Sequence, residues 1–554
     1  MIRSTGNAAT IGRRAVLGLA AVAMGAALAA APAAAQQREP GGVVPPLTMT
    51  IPNWPDFIEI ARLVKPMWEA LGIKVDVRQT TMESFMASII TERKIPHVSG
   101  ISWGGAPDRI DPEYFLTELN HSSRVRPGGL NYGEFKNAEF DRLADAQRAE
   151  MDPVKRLALV KQAQAILHDQ VPSIVVYHLA AIQAYNKQRW SGVVPVVGNG
   201  IAYPYIPWTY YKAKPLTRNT VARATSIYDI HTLNPFATFE IHNSTMLRWI
   251  YPTFVIRDEN LDIKPWAAES WQAVDDKTVD VTIRDGMKFH DGKPVTIDDV
   301  KFTFDYMLQW KFPAFARVVD NVDSVTVTGP RTVRFALKRP FAPFVPNVLG
   351  FAFIAPKHIW EGIPGSSGLK SPADWPNDKP VGYGPFSFAE WRKSEYLHLK
   401  AADGFAIKPA MTDVYWLAVP SIDNQIGLME RGEADFFGWR LDPIQADRLK
   451  AVPSLEIVNT PTHGAHDLRL NTDLAPTNDV AFRRALRLAT DRKRLIQVVA
   501  GGAAIAGNDT FIVPTSPWAN KDLVAPEPSI DKAKDLLKSA GYTWDKDGRL
   551  LYPK

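Results

Sequence analysis

The sequence predicts an α/β protein whose tail reads into its own head. Three observations carry this expectation. Strand and helix patterns alternate from residue 46 onward. The last residues, Ser539-Ala540-Gly541-Tyr542 and then Trp544 to Lys554, read as a helix end, an Asp547-Gly548 turn and a strand with no later partner. Near the start, Pro46-Leu47-Thr48-Met49-Thr50-Ile51 reads as a short strand with nothing before it to pair with. Asp-Gly beside alternating runs is a strong hairpin signal. The two ends are therefore expected to form a β-ribbon between two helices, as in a fold whose chain was cut at a surface turn and rejoined elsewhere. Surface turns tolerate such a circular permutation.

The elements follow in chain order. Arg3, Arg13 and Arg14 precede an apolar run from Ala15 to Ala31, and Ala33-Ala34-Ala35 offers small residues for cleavage near Ala35. Residues 1–35 are thus expected to be an export signal. Its Arg13-Arg14 context resembles a twin-arginine leader, with the general secretory route as the alternative. No cysteine follows the apolar run, so no lipid anchor is expected. The chain has no cysteine at all, and at 554 residues it is long enough to bury large cores without disulfides. Loss of the three leader arginines brings the formal charge from +5 to +2, which excludes a nucleic-acid footprint.

After a Pro/Gly-rich lead-in, the apolar period from Ile58 to Leu71 predicts a helix ending at Gly72. Ile73-Val75-Val77 reads as a strand, Met82 to Glu92 as a helix and Val98 to Trp103 as a strand. Phe140 to Asp169 reads as strongly helical, and Val171 to Tyr177 as a buried strand. Tyr210 to Asn219 is polar and basic with one proline, and reads as a linker. Thr220 to Ala224 then opens a new strand. Forty-three prolines and sixteen tryptophans suit many short strands and aromatic walls around a ligand.

Beyond that seam the residues carry a resemblance. Ala267-Ala268-Glu269-Ser270-Trp271 is followed by a strand from Thr278, then Arg284-Asp285-Gly286 and Phe289-His290-Asp291-Gly292. Pro294-Val295-Thr296 leads into Asp298-Asp299-Val300, where Thr296 is a good N-cap. Val381 to Phe386, Gly432 to Asp435, Leu470-Asn471, Phe482 to Leu486 and Ala489 to Arg492 follow in the same order. This stretch resembles bacterial extracytoplasmic solute-binding proteins of the peptide/nickel class, family 5. The front segment resembles the C-terminal part of the same family, through Ser102-Trp103, Asp111-Pro112, Asn131-Tyr132, Glu139-Phe140-Asp141, Asp152-Pro153 and Pro172 to Val175.

The resemblance implies a two-lobed periplasmic binding protein fold of class II with an extra subdomain, here circularly permuted. Residues 36–215 match the family's C-terminal part, and residues 216–554 its N-terminal and middle parts. One lobe would join about 46–180 to 470–554, and the other about 181–245 to 381–466. The extra subdomain would be about 246–380. The implied function is a periplasmic receptor that captures a peptide or peptide-like amine and delivers it to an inner-membrane ABC permease. It would act as a monomer without cofactor. A nickel chelate, an opine or a sugar as ligand, and a sensory partner in place of a permease, remain the alternatives.

The same resemblance points to ligand contacts. Counted back from Asp111-Pro112, Asp108 falls where the family's peptide binders pair with an α-amino group; counted forward from Trp103 the position is Ala106, and a solvated acid beside Arg109 is the other reading of Asp108. Trp103 is a cleft wall or a core residue. Asn234 and Phe236 lie at the cleft edge or pack a loop. Tyr383 replaces a threonine common in that glycine turn, and Trp439 and His463 lie where the cross-lobe strands approach ligand. Arg483 and Asp491 read as structural, as does His290. No catalytic or phosphate-binding motif is present, and the eleven histidines are scattered. An enzyme is not expected, and neither is a structural zinc site.

Overall fold

The computed structural model describes residues 39–105, 109–238, 241–365 and 368–554. The expected export signal and Asp108 lie outside the described residues. Among those described, no helix is long and apolar enough to cross a membrane.

An eleven-stranded sheet organises the chain. In chain order its strands are β1 (Leu47–Pro52), β2 (Val75–Thr80), β3 (Val98–Trp103), β4 (Ser173–Asn186), β5 (Val221–Ser226), β6 (Phe386–Arg392), β7 (Tyr396–Ala401), β8 (Asp413–Ala418), β9 (Phe436–Phe437), β10 (Leu455–Leu470) and β11 (Ile505–Ala506). The spatial order is β6-β7-β8-β5-β9-β4-β10-β3-β1-β2, with β11 also paired to β4. β1 is parallel to both β2 and β3, which requires crossover connections and not hairpins. The first crossover is the helix Pro55–Glu69, which buries Phe57, Ile60, Val64 and Trp68.

β4 and β10 are the long members, at 14 and 16 residues. They pair antiparallel along nearly their whole length, from Leu455 opposite Asn186 to Arg469 opposite Ser173. Around them the apolar cores divide. Two clusters draw on residues up to Tyr177 and from Ala465 onward. Two others draw on Ile182 to Leu455, together with Ile110. The register breaks between Pro461 and Ala465, where this division falls. A bulge there bends the ribbon and leaves Thr462, His463 and Gly464 outside the ladder.

A separate antiparallel sheet takes the order Ala268–Asp275, Thr278–Ile283, Thr332–Leu337, Val322–Gly329. The helix Ile297–Trp310 starts at the expected cap: Thr296 Oγ1 accepts from the Asp299 N–H, and the Asp299 carboxylate accepts from the Thr296 N–H at 2.8 Å. Such a reciprocal box satisfies two donors the helix leaves open.

The ends of the described chain meet, though not through the expected strand. β1 lies inside the large sheet, and the residues before it make the ribbon instead. Val44 N–H donates to the Leu550 carbonyl at 2.8 Å, and Tyr552 N–H donates to the Gly42 carbonyl at 2.9 Å. Thr543–Trp544 closes the hairpin against Leu550–Leu551. Gly72 is held against this hairpin at φ +89°; a Cβ there would lie 2.4 Å from the Gly548 carbonyl oxygen. The long helix expected over 140–169 is two helices, Ala138–Ala149 and Pro153–Gln170. Proline cannot donate to the preceding turn but fits a first helical turn, so the break falls at Asp152, whose carboxylate caps the second helix.

The expected linker at 210–219 is only half a linker. Trp208–Lys212 is a helical turn with Tyr210 and Tyr211 buried in the largest core, and Lys214–Pro215 pairs with Trp190–Ser191. Its basic residues point outward, and that surface face is what the composition reported.

Candidate functional site

A cavity of about 440 Å³ opens where β4 and β10 leave one set of cores for the other. Its floor is the bulge: Thr462 Oγ1 donates to the Leu179 carbonyl at 3.1 Å and accepts from Gly464 N–H at 3.0 Å. One side is built by Trp54-Pro55-Asp56, at the start of the first helix, and by Ser102, Gly104 and Gly105 at the end of β3. The facing side is aromatic.

Five rings make that aromatic side. Trp439 stands edge-on to Tyr203 at 5.5 Å and to Tyr228 at 5.2 Å between centroids. Tyr228 stacks on His242 at 3.7 Å. Tyr205 stacks on Tyr203 at 5.5 Å, and its hydroxyl lies 3.0 Å from His242 Nε2. Edge-to-face rings, as in the two Trp439 pairs, are a favoured aromatic arrangement. The five rings therefore support one another as well as facing the cavity.

One ion pair crosses the cavity. Arg440 follows Trp439 and precedes Leu441, which packs in the 182–455 cores. Asp56 lies on the helix that packs in the opposite set. Arg440 Nη2 donates to Asp56 Oδ2 at 3.1 Å, and His466 Nε2 lies 3.1 Å from the same oxygen. Burial pushes the Asp56 carboxyl up. The His466 hydrogen bond and the Arg440 charge outweigh burial and hold it at about 2, below its ordinary 3.8. His466 is fully buried, which pushes it down, opposed by its hydrogen bond to the Asp56 carboxylate.

A depressed carboxyl adds stability that is present above its unfolded value and lost as pH falls through its folded one. Asp56 is 36% exposed, so solvent screening limits its contribution to about 1 kcal/mol. Asp56→Asn is expected to be less stable than the parent by about that much at pH 7, and this deficit should shrink between pH 4 and pH 2, where the parent loses the Asp56 contribution. Denaturant titrations across that range check this, and an equal deficit at pH 7 and pH 2 would contradict it.

Comparison with known proteins places the chain. The model of bacterial extracellular solute-binding proteins, family 5 middle, matches residues 262–553, slightly over half of the sequence. The chain belongs to this solute-binding family. It is 30% identical over 329 residues to the oligopeptide-binding protein AppA of Bacillus subtilis, covering 54% of this chain and 56% of that protein. It is 26% identical over 302 residues to the dipeptide-binding protein of Escherichia coli, covering 50% and 55%. The chain thus spans little more than half the length of the curated relatives it matches. The solved structure of the Bacillus AppA protein with a nonapeptide superposes on 60% of this chain and 67% of that one, with TM-score 0.47 and 27% identity.

In this family 5 member the residues singled out from sequence fall into three groups. Trp439 lines the cavity. Trp103 and His463 stand directly behind the lining. Trp103 is 7% exposed and stacks on Tyr132 at 6.4 Å, while the glycines after it form the rim. His463 backs Gly198, where a Cβ would lie 2.3 Å from its Cδ2, and burial pushes it down to about 4, so it is neutral. The third group does not reach the cavity. Asn234 is fully buried and donates to the Pro372 and Trp375 carbonyls at 2.8 and 2.7 Å. Phe236 stacks on Phe312 at 4.7 Å inside an aromatic core. Tyr383 donates its hydroxyl to the Pro252 carbonyl and accepts from Ile354 N–H. Asn234 and Tyr383 spend their polar atoms on these backbone groups, and Phe236 is held by ring packing alone.

Sequence reasoning missed Asp56, Arg440, Tyr203, Tyr205, Tyr228 and His242. The only local signal was Arg440 beside Trp439.

Proposed function

We propose that this protein is an exported, periplasmic solute receptor that closes on a small peptide or peptide-like solute and presents it to an ABC permease. It would act as a monomer and not as an enzyme. The observation that carries the reading is the cavity itself, with an aromatic wall from one set of cores and a carboxylate from the other, tied by the Arg440–Asp56 ion pair. Such a concave, mostly apolar site with a few fixed polar groups is what small-solute capture needs. In this reading the two sets of cores are two lobes, about 46–180 with 470–554 and about 181–245 with 381–466, and 246–380 is an added subdomain. β4 and β10 are the hinge. Ligand favours the closed form because only there do both lobes touch it.

The reading includes a circular permutation. The ribbon between Gly42–Val44 and Leu550–Tyr552 supports it, because it joins the segments that resemble the family's middle and C-terminal parts. A reordered gene with residues 220–554 ahead of residues 39–215 is expected to give a chain that melts cooperatively; failure of that chain to fold counts against the permutation.

The receptor reading is tested by thermal shift on the mature chain with di- to pentapeptides, amines, sugars, opines and nickel. At about a hundred times its dissociation constant a one-site ligand adds about 2.7 kcal/mol. One chemical class is expected to raise a cooperative melt. A sharp melt that no solute moves rejects a receptor for these classes.

A further inference from the structure

Arg440 has donor capacity that the fold does not use. A guanidinium carries five N–H donors in a planar fork. Among the described residues its hydrogen bond goes to Asp56, through Nη2. The side chain is 28% exposed and lines the cavity. Asp56 Oδ2, by contrast, already serves both Arg440 and His466. A cationic ligand would have to compete for that carboxylate while standing beside Arg440, with Arg109 also on the cavity lining. A carboxylate meets the opposite situation: an arginine fork takes it through parallel N–H bonds, with geometric as well as energetic preference.

The rest of the cavity adds a second requirement. Arg440 lines the same cavity as Trp439, Tyr203 and Tyr228, so a group held by the guanidinium shares that space with the aromatic wall. Rings gain there beyond simple burial. At about 440 Å³ the space is near the lower end of small-ligand sites, which run from about 300 to 1,000 Å³. It suits one or two residues in size, not an extended peptide.

We propose that the cavity selects a small aromatic carboxylate, with the carboxylate taken by Arg440 and the ring laid on the Trp439 wall. This rests on the receptor reading and narrows it.

Titration calorimetry with N-acetyl-L-tryptophan, its primary amide, N-acetyl-L-leucine and tryptamine tests the proposal on the mature chain and on Arg440→Gln. N-acetyl-L-tryptophan is expected to bind about tenfold or more tighter than each of the others. Arg440→Gln should erase its advantage over the amide while leaving its advantage over the leucine analogue. Should that variant fail to melt cooperatively, Arg440→Lys, which keeps the charge but not the fork, is expected to reduce the preference for acid over amide. Equal binding of amide and acid, or tighter binding of tryptamine or the leucine analogue, overturns the proposal. If another class in the broader panel binds and the aromatic acid does not, the inference falls and the receptor stands. If nothing in either set binds a cooperatively folded chain, both fall.

Discussion

Arg469→Met is expected to destabilise the protein by about 3–5 kcal/mol at pH 8, the usual effect of removing one member of a buried ion pair. Arg469 and Asp467 are both fully buried in side-chain terms, with Nε 3.6 Å from Oδ2. The guanidinium is enclosed between the Tyr132 and Phe511 rings, at 5.1 and 5.0 Å from their centroids, and donates to Asn120 Oδ1 at 2.7 Å. Asp467 also accepts from the Ser173 hydroxyl at 2.8 Å. Burial pushes its carboxyl up, partly opposed by Arg469, to about 6. A raised carboxyl contributes stability that is full below its unfolded value and lost as pH rises through its folded one. Without Arg469 the folded value rises further, so the folded variant holds its proton over a wider range. The deficit against the parent should therefore shrink from pH 8 to pH 5, and Asp467→Asn added to Arg469→Met should recover part of it. Urea titrations at the two pH values check this. A deficit below about 1 kcal/mol, or one independent of pH, means that the ring sandwich and not the ion pair sets the energy.

That buried pair also shows where sequence reasoning stops. Its residues lie just before the Leu470-Asn471 motif, at the end of β10. Nothing local said that Asp467 and Arg469, two apart and hence on one face, face inward, and charged residues are almost never fully buried unless paired. Local chemistry was read well where it acts locally. Val98–Trp103 is the strand expected, and the Thr296 box caps its helix. The meeting of the two ends was anticipated from Asp547-Gly548, but the partner was misassigned. β1 satisfies its edges with strands that follow it, so the ribbon falls to Gly42–Val44. The supposed linker failed for a related reason: a single turn with two tyrosines inward and lysines outward has the composition of a loop.

The site was less legible than the fold. Its walls include residues 54–56, Ser102, Gly104, Gly105, Tyr203, Tyr205, Tyr228, His242 and 439–440, all near the ends of elements or in loops. None has a periodic signature; the pairings of β4 with β10, β10 with β3, β3 with β1 and β5 with β9 bring them together. Resemblance pointed to Trp439, which lines the cavity, and to Trp103 and His463, which stand behind the lining. It also pointed to Asn234, Phe236 and Tyr383, which hold the neighbouring region by packing and carbonyl contacts.

Gly438→Ala is expected to remove solute binding and to destabilise the protein together. Gly438 ends β9, whose Phe437 pairs with Thr225. There the chain leaves the sheet by passing directly over the Thr225 carbonyl: an added Cβ would lie 1.9 Å from that oxygen, with the Trp416 ring at 3.3 Å on the other side. Both obstacles are backbone or core, so neither can yield cheaply. The turn must shift, and the next two residues are Trp439 and Arg440, which carry the centre of the aromatic wall and the cross-cavity ion pair. Overpacking of this kind costs about 1–3 kcal/mol, and a displacement of about 1 Å at a positioned site is enough to cost about a hundredfold in function. The solute that stabilises the parent in thermal shift should therefore fail to stabilise Gly438→Ala, although the variant still melts cooperatively. Ile444→Ser, six residues on and 82% exposed, should leave both stability and response unchanged. A Gly438→Ala protein that binds as the parent does would show that the exit over Thr225 has slack, and that Trp439 and Arg440 are held by their neighbours in the wall and not by the strand that delivers them.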